Sequence, residues 1–119
     1  MKRLFLILLT VPSLAMGQGN AAQGQKRFEE CAGCHSLEAG KNILGPSLHG
    51  IFERGAAEVQ GFMYSPALKR SKIRWTPQTL DAYIADPQKA VPANRMPYAG
   101  LADSAARADL IAYLLKATR

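Results

Sequence analysis

The string Cys31-Ala32-Gly33-Cys34-His35 places two thiols and an imidazole within five residues, and together these groups can bond a porphyrin and its iron. Thiols at positions i and i+3 lie about one helical turn apart, so both reach one edge of the ring and can form thioether bonds with its two vinyl groups. His35 follows at once and is held beneath the ring, where its imidazole can bind iron from one face. Cys-x-x-Cys-His is the attachment sequence of a c-type haem. Cys31 and Cys34 are the only cysteines, so two thioethers leave no free thiol and no disulfide.

Two other uses of these side chains fit less well. A redox dithiol expects a strand-and-helix scaffold of the βαβ kind, and the chain offers no strand-like alternating runs. A structural zinc ion needs four ligands in tetrahedral reach. Beside the cysteines only His35 and His49 are available, and His35 is pressed against Cys34.

An iron held by His35 has one axial position left, and its ligand must come from elsewhere in the chain. Met96 stands in Val91-Pro92-Ala93-Asn94-Arg95-Met96-Pro97-Tyr98, a stiff loop between two prolines, rather than on a packed helix face. A loop methionine is ordinarily an adaptable apolar filler; an unfilled axial site makes Met96 the expected ligand. Met63, beside Tyr64 in a Gly-rich loop, is the second choice. His49 follows too soon after His35 to cross easily to the other face of the ring, and its default role is local hydrogen bonding.

Three helical segments are expected to position these groups. From about Ala21 to Cys34 the residues are good helix formers, with Gly24 and Phe28 on one side. Thr76-Pro77 reads as an N-cap followed by proline at the first helical position; Leu80, Tyr83 and Ile84 mark the apolar face of this second segment, and Pro87 stops it. The third starts near Asp103 or Ser104 and carries Leu110, Tyr113, Leu114 and Ala117 at i, i+3, i+4 and i+7. Between them, Gly45 to Gly61 and Pro92 to Gly100 read as loops long enough to need an anchor. A haem wrapped by the chain provides it.

Residues 1–17 read as a secretory signal peptide, with a basic start at Lys2 and Arg3, an apolar run from Leu4 to Leu9, and small residues at Ala15 and Gly17 before the cut. The apolar run is short of the roughly 20 residues of a spanning helix and contains Pro12, so no stable membrane insertion is expected after cleavage. Residues 18–119 then form one domain, small for a self-sufficient core and stapled by the haem. The formal net charge is +6, from 15 basic and 9 acidic residues, and falls when Lys2 and Arg3 leave. Such a surface can steer a partner with an acidic face, yet its acids and bases are too interspersed for nucleic acid.

From about Gly24 to Thr118 the order of motifs resembles the class I soluble cytochromes c, closest to mitochondrial-type and bacterial periplasmic members. The matching residues are Gly24-x-x-x-Phe28-x-x-Cys31, Cys31 to His35, Gly45-Pro46-x-Leu48-His49-Gly50, Gly61-Phe62-x-Tyr64, Trp75, Thr79-Leu80-x-x-Tyr83, Pro87, Met96, and Ala108-Asp109-Leu110-Ile111-Ala112-Tyr113-Leu114. The resemblance implies an all-α fold wrapped around one covalently bound haem c, with Gly24 and Phe28 meeting Leu110 and Tyr113 where the first and last helices cross. It implies that the Pro46 carbonyl accepts the second ring N–H of His35, that Tyr83 donates toward the Met96 sulfur, and that Arg54, Tyr64 and Trp75 hold a buried propionate. Leu68, Asn94 and Tyr98 depart from the mitochondrial pattern, which has Asn, Thr and Phe there. Of the lysines that ring the haem edge in mitochondrial members, Lys89 survives and Arg95 replaces another. Glu30, Gln88, Ala102 and Asp103 occupy other ring sites, which weakens the expectation of lysine-driven docking to an acidic oxidase.

The implied function is that of a periplasmic, monomeric electron carrier rather than an enzyme. Donors would be a bc1-type complex or a periplasmic dehydrogenase, and acceptors a terminal oxidase or reductase. Histidine and methionine on opposite faces close the iron to substrate, and sulfur ligation in an apolar pocket raises the potential. The alternative is a haem-based peroxidase or small-gas sensor with a labile Met96. Peroxide chemistry favours an acid/base group on the open face, and the Met96 loop carries none.

Overall fold

Asn20, Ser65, Thr76, Asp86 and Asp103 each turn a side-chain oxygen onto a backbone N–H two or three residues on, and each opens a helix. In the computed structural model, which describes residues 19–119, these helices are α1 (Ala21–Ala32), α2 (Pro66–Ser71), α3 (Pro77–Ala85), α4 (Pro87–Ala90) and α5 (Ser104–Ala117). A 3₁₀ turn at Ile51–Glu53 interrupts the long stretch between α1 and α2. The only strand-like feature among the described residues is an isolated bridge between Gly55 and Arg74, and the all-α class is as expected. The leader expected over residues 1–17 and its cut lie outside the described residues.

The two terminal helices pack on each other. Gly24 is buried on α1, and a Cβ there would stand 1.9 Å from the Asp109 carbonyl oxygen of α5, so only glycine lets the backbones come this close. One turn on, the rings of Phe28 and Tyr113 meet at 5.6 Å between centroids, tilted by 52°. Asn20 adds a polar pin: its backbone N–H donates to Asp109 Oδ1 at 2.7 Å. Leu110, Ile111 and Leu114 bury the face of α5 toward Phe28 and α3. Each such side chain contributes about 1.5–3 kcal/mol when fully buried.

α3 buries Leu80, Tyr83 and Ile84, the face its spacing marks. Its start is fixed by a reciprocal capping box: Thr79 N–H donates to Thr76 Oγ1 at 3.1 Å, and Thr76 N–H to Thr79 Oγ1 at 2.8 Å. Pro87 ends one helix and begins the next. Asp86 is extended and caps α4 by accepting the Lys89 N–H, and Pro87 takes the first helical position, where no backbone N–H is needed. α2 had no apolar stripe to announce it, since none of its residues is fully buried. Among the described residues no helix is long and apolar enough to cross a membrane.

Candidate functional site

α1 delivers the thiols and the imidazole at its C-terminus. The Cys31 carbonyl accepts the N–H of Cys34 at 3.0 Å and of His35 at 2.9 Å, which winds the motif into a tight turn around one oxygen. Both cysteines are free and half-buried. Burial, with Glu30 and Cys34 nearby, pushes the Cys31 thiol up to about 11. A thiol so protonated suits neither a nucleophilic thiolate nor a redox dithiol. Among the described residues no three His, Cys, Asp or Glu side chains gather as a metal cluster, so the pair has no tetrahedral zinc set around it.

The loop after the motif aims the imidazole. Pro46, which has no N–H of its own, presents its carbonyl to His35 Nδ1 at 2.7 Å. Gly45 precedes it, its N–H donating to the Cys34 carbonyl at 2.7 Å, and a Cβ at Gly45 would stand 2.6 Å from His35 Cε1. Glycine therefore lets the loop lie flat on the ring. Burial lowers the His35 pKa below its ordinary value against the raising effect of Pro46, with Arg54 adding a smaller lowering. The ring is neutral at pH 7, Nδ1 is the donor, and Nε2 keeps its lone pair for a metal.

A polar end is built from the next segment. Arg54 Nη2 donates to the Ser47 carbonyl at 2.6 Å, while Arg54 Nε is buried and has no partner. Burial lowers the Arg54 pKa, and the nearby Tyr64 opposes this. Tyr64 is buried, and its hydroxyl accepts the Val59 N–H at 3.2 Å. Trp75 hangs from the same place, its backbone N–H donating to the Arg54 carbonyl at 3.1 Å, and its ring meets Tyr83 edge-on at 5.1 Å. An orphaned buried guanidinium N–H beside two aromatic residues fits a carboxylate of a bound group.

Met96 is half-buried and packs against the cluster that contains Trp75 and Tyr83, the cluster on which Cys31 also packs. No hydrogen bond joins Tyr83 to Met96 among the described residues; burial alone pushes the Tyr83 hydroxyl up to about 12. Met63 is 82 % exposed and His49 lies on the surface, so neither competes for an interior axial position.

Two supports of this site lie outside the haem-attachment motif. Asn94, buried, donates from Nδ2 to the Pro87 carbonyl at 2.8 Å and the Val91 carbonyl at 2.9 Å, and its Oδ1 accepts the Met96 N–H at 2.9 Å. The short Asn-x-Met spacing is the signal, since Asn commonly bonds the backbone two residues on. Asn42 links two loops, accepting the Ser47 N–H at 2.9 Å and donating to the Gln60 carbonyl at 3.1 Å.

The family model described as "Cytochrome c" matches residues 21–118. The chain is 43% identical over 97 residues to "Cytochrome c-type cyt cy" of Rhodobacter capsulatus, covering 81% of this chain and 48% of that one. It is 43% identical over 96 residues to "Cytochrome c2" of Blastochloris viridis, covering 80% and 76%. It is 40% identical over 104 residues to "Cytochrome c" of Arabidopsis thaliana, covering 86% and 93%. The chain thus spans about half the length of the first of these relatives and most of the other two.

Proposed function

Because the chain belongs to the cytochrome c family, whose haem c is attached covalently through a cysteine pair such as Cys31 and Cys34, we propose that it is a periplasmic carrier of single electrons. Haem bound at this site supplies a reversible one-electron couple at its iron. The observation that carries the reading is the 2.7 Å bond from His35 Nδ1 to the Pro46 carbonyl, which leaves Nε2 as the only coordinating atom of a neutral, oriented imidazole.

Met96, on a loop whose amide is held by Asn94, would be the second side chain to hold the iron. Held by both His35 and Met96, the iron would be closed to substrate, and well-packed ligands would limit rearrangement on a change of charge, which suits a carrier. Arg54 would offer its unpartnered Nε–H to a propionate, with its neighbours Tyr64 and Trp75 beside it. Pro46, Arg54, Tyr64, Trp75 and Tyr83 therefore serve the cofactor by holding and shielding it, and none has a catalytic role.

The periplasmic assignment is supported by the basic-then-apolar leader of residues 1–17. Partners are redox proteins met briefly, as small interfaces allow: a bc1-type complex or a periplasmic dehydrogenase as donor, and a terminal oxidase or reductase as acceptor. The protein acts as a monomer.

The test is spectroscopic. Protein matured with a working haem-attachment pathway keeps its pigment in acidified organic solvent, and its ferric form shows a methionine-to-iron charge-transfer band. Met96→Ala abolishes the band and opens the iron to added ligands, whereas Met63→Ala changes neither. A ferric protein that is already high-spin and ligand-accepting at neutral pH would instead support a haem-based peroxidase or gas sensor.

A further inference from the structure

The Met96 loop must stay closed for the methionine to remain a ligand, and one arginine outside the loop grips its returning end. Arg107 sits in the first turns of α5 with its side chain 13% exposed. Its Nε donates to Asp81 Oδ1 of α3 at 2.8 Å. Its Nη1 donates to the carbonyls of Leu101 at 2.9 Å and Ala102 at 2.8 Å, the residues through which the chain comes back from Met96 to α5. The same stretch is seated on α3: the Leu101 N–H donates to the Ile84 carbonyl at 2.8 Å, and a Cβ at Gly100 would stand 2.3 Å from the Ala85 carbonyl oxygen.

One guanidinium therefore joins α3, α5 and the end of the loop, while Asn94 holds the other end through Pro87 and Val91. The fork matters. A lysine has the charge for Asp81 but lacks the planar geometry to serve a carboxylate and two carbonyls at once.

We propose that Arg107 is a positioning residue for the axial methionine: by tying Leu101 and Ala102 to Asp81 it keeps the Met96 loop shut and sets how often Met96 leaves the metal. The proposal rests on Met96 being the ligand. Its test follows imidazole entering the ferric holoprotein in large excess, a rate then limited by loop opening and read from loss of the methionine-to-iron band. Arg107→Ala, Arg107→Lys and Asp81→Asn are compared with Leu114→Ala, which loosens the core packing of α5 without removing any of these hydrogen bonds.

Imidazole is expected to enter Arg107→Ala at least about tenfold faster than the unsubstituted protein, the scale of a lost charge-assisted hydrogen bond, with Arg107→Lys and Asp81→Asn between them. Leu114→Ala lowers Tm while leaving the rate within about twofold. Hydrogen exchange at the Leu101 amide rises in parallel in the Arg107 variants. Should Arg107→Ala fail to fold, Arg107→Lys and Asp81→Asn decide the matter alone. Unchanged entry rates in these variants, or equal acceleration in Leu114→Ala at matched loss of Tm, overturn the proposal. A protein that lacks the band before any substitution removes the Met96 assignment itself, and this proposal with it.

Discussion

Gly24 of α1 and Asp109 of α5 meet backbone to backbone, with room for a hydrogen and none for a methyl group. Gly24→Ala gains about 1 kcal/mol in helix propensity. Against this stands a Cβ at 1.9 Å from a carbonyl oxygen, which neither helix can relieve by turning a side chain. Overpacking of this kind costs about 1–3 kcal/mol or more, so the clash wins. Gly24→Ala is expected to lower the denaturation midpoint of the holoprotein, and an unchanged or raised midpoint would show that the helices separate without cost.

Asn94 makes three hydrogen bonds from a buried side chain where mitochondrial relatives have threonine. Asn94→Thr would therefore destabilise this chain despite moving it toward the commoner residue. A threonine hydroxyl has one hydrogen to donate and cannot serve both the Pro87 and Val91 carbonyls while accepting the Met96 N–H. The expected loss is about 1–3 kcal/mol, one buried unmet partner, measured by chemical denaturation, together with weaker retention of the methionine-to-iron band in added imidazole.

Arg54 places a half-buried positive charge beside Tyr64, with its buried Nε free of any partner. A cation near the cofactor disfavours the ferric form, which carries the additional positive charge. Arg54→Gln removes that opposition, and the midpoint potential should fall on the order of tens of millivolts, the size expected for one charge some way off at an intermediate effective dielectric. Redox titration against mediators reads the shift; a rise in potential would contradict the placement of Arg54 near the propionates.

Tyr83 gives the pH dependence a defined sign. Burial raises its folded-state pKa to about 12, while an unfolded tyrosine titrates near 10. The folded protein thus prefers the neutral phenol. Its contribution is complete below about pH 10 and is lost as pH climbs from about 10 to about 12, because the unfolded chain releases the proton first. Denaturation free energies measured across this window should fall more gently for Tyr83→Phe than for the unsubstituted protein, and identical slopes would place Tyr83 in contact with solvent.

What could be read before the fold was known, and what could not, divides by where the partner lies. The haem motif and the long helices carry their signals in spacing along the chain, whereas the Phe28 and Tyr113 pairing was legible only through the family resemblance. α2 escaped because it buries no residue fully, although Ser65-Pro66 has the same cap-then-proline form as Thr76-Pro77. α4 escaped because proline ends a helix and starts one equally well, and only the extended backbone of Asp86 decides which. Arg107 acts on carbonyls, groups that every residue has and no motif can flag, while Asn94 shows only in its spacing from Met96.

The docking edge yields the last prediction. Tyr98 Oη donates to Glu30 Oε2 at 3.3 Å, which joins the Met96 loop to the end of α1 beside Cys31 and leaves an acid on the face where mitochondrial members have a lysine. With an acid at Glu30, attraction to an acidic partner should be weak, and electron exchange with such a partner should depend only shallowly on ionic strength. Glu30→Lys changes the local charge by two, so the rate at low salt should rise severalfold and fall back toward the original value as the Debye length shrinks to about 8 Å near physiological ionic strength. Stopped-flow rates across a salt series, with a partner of known acidic face, distinguish this from a packing effect, which would persist at high salt. A steep salt dependence before substitution would mean that the remaining basic residues already dominate the encounter.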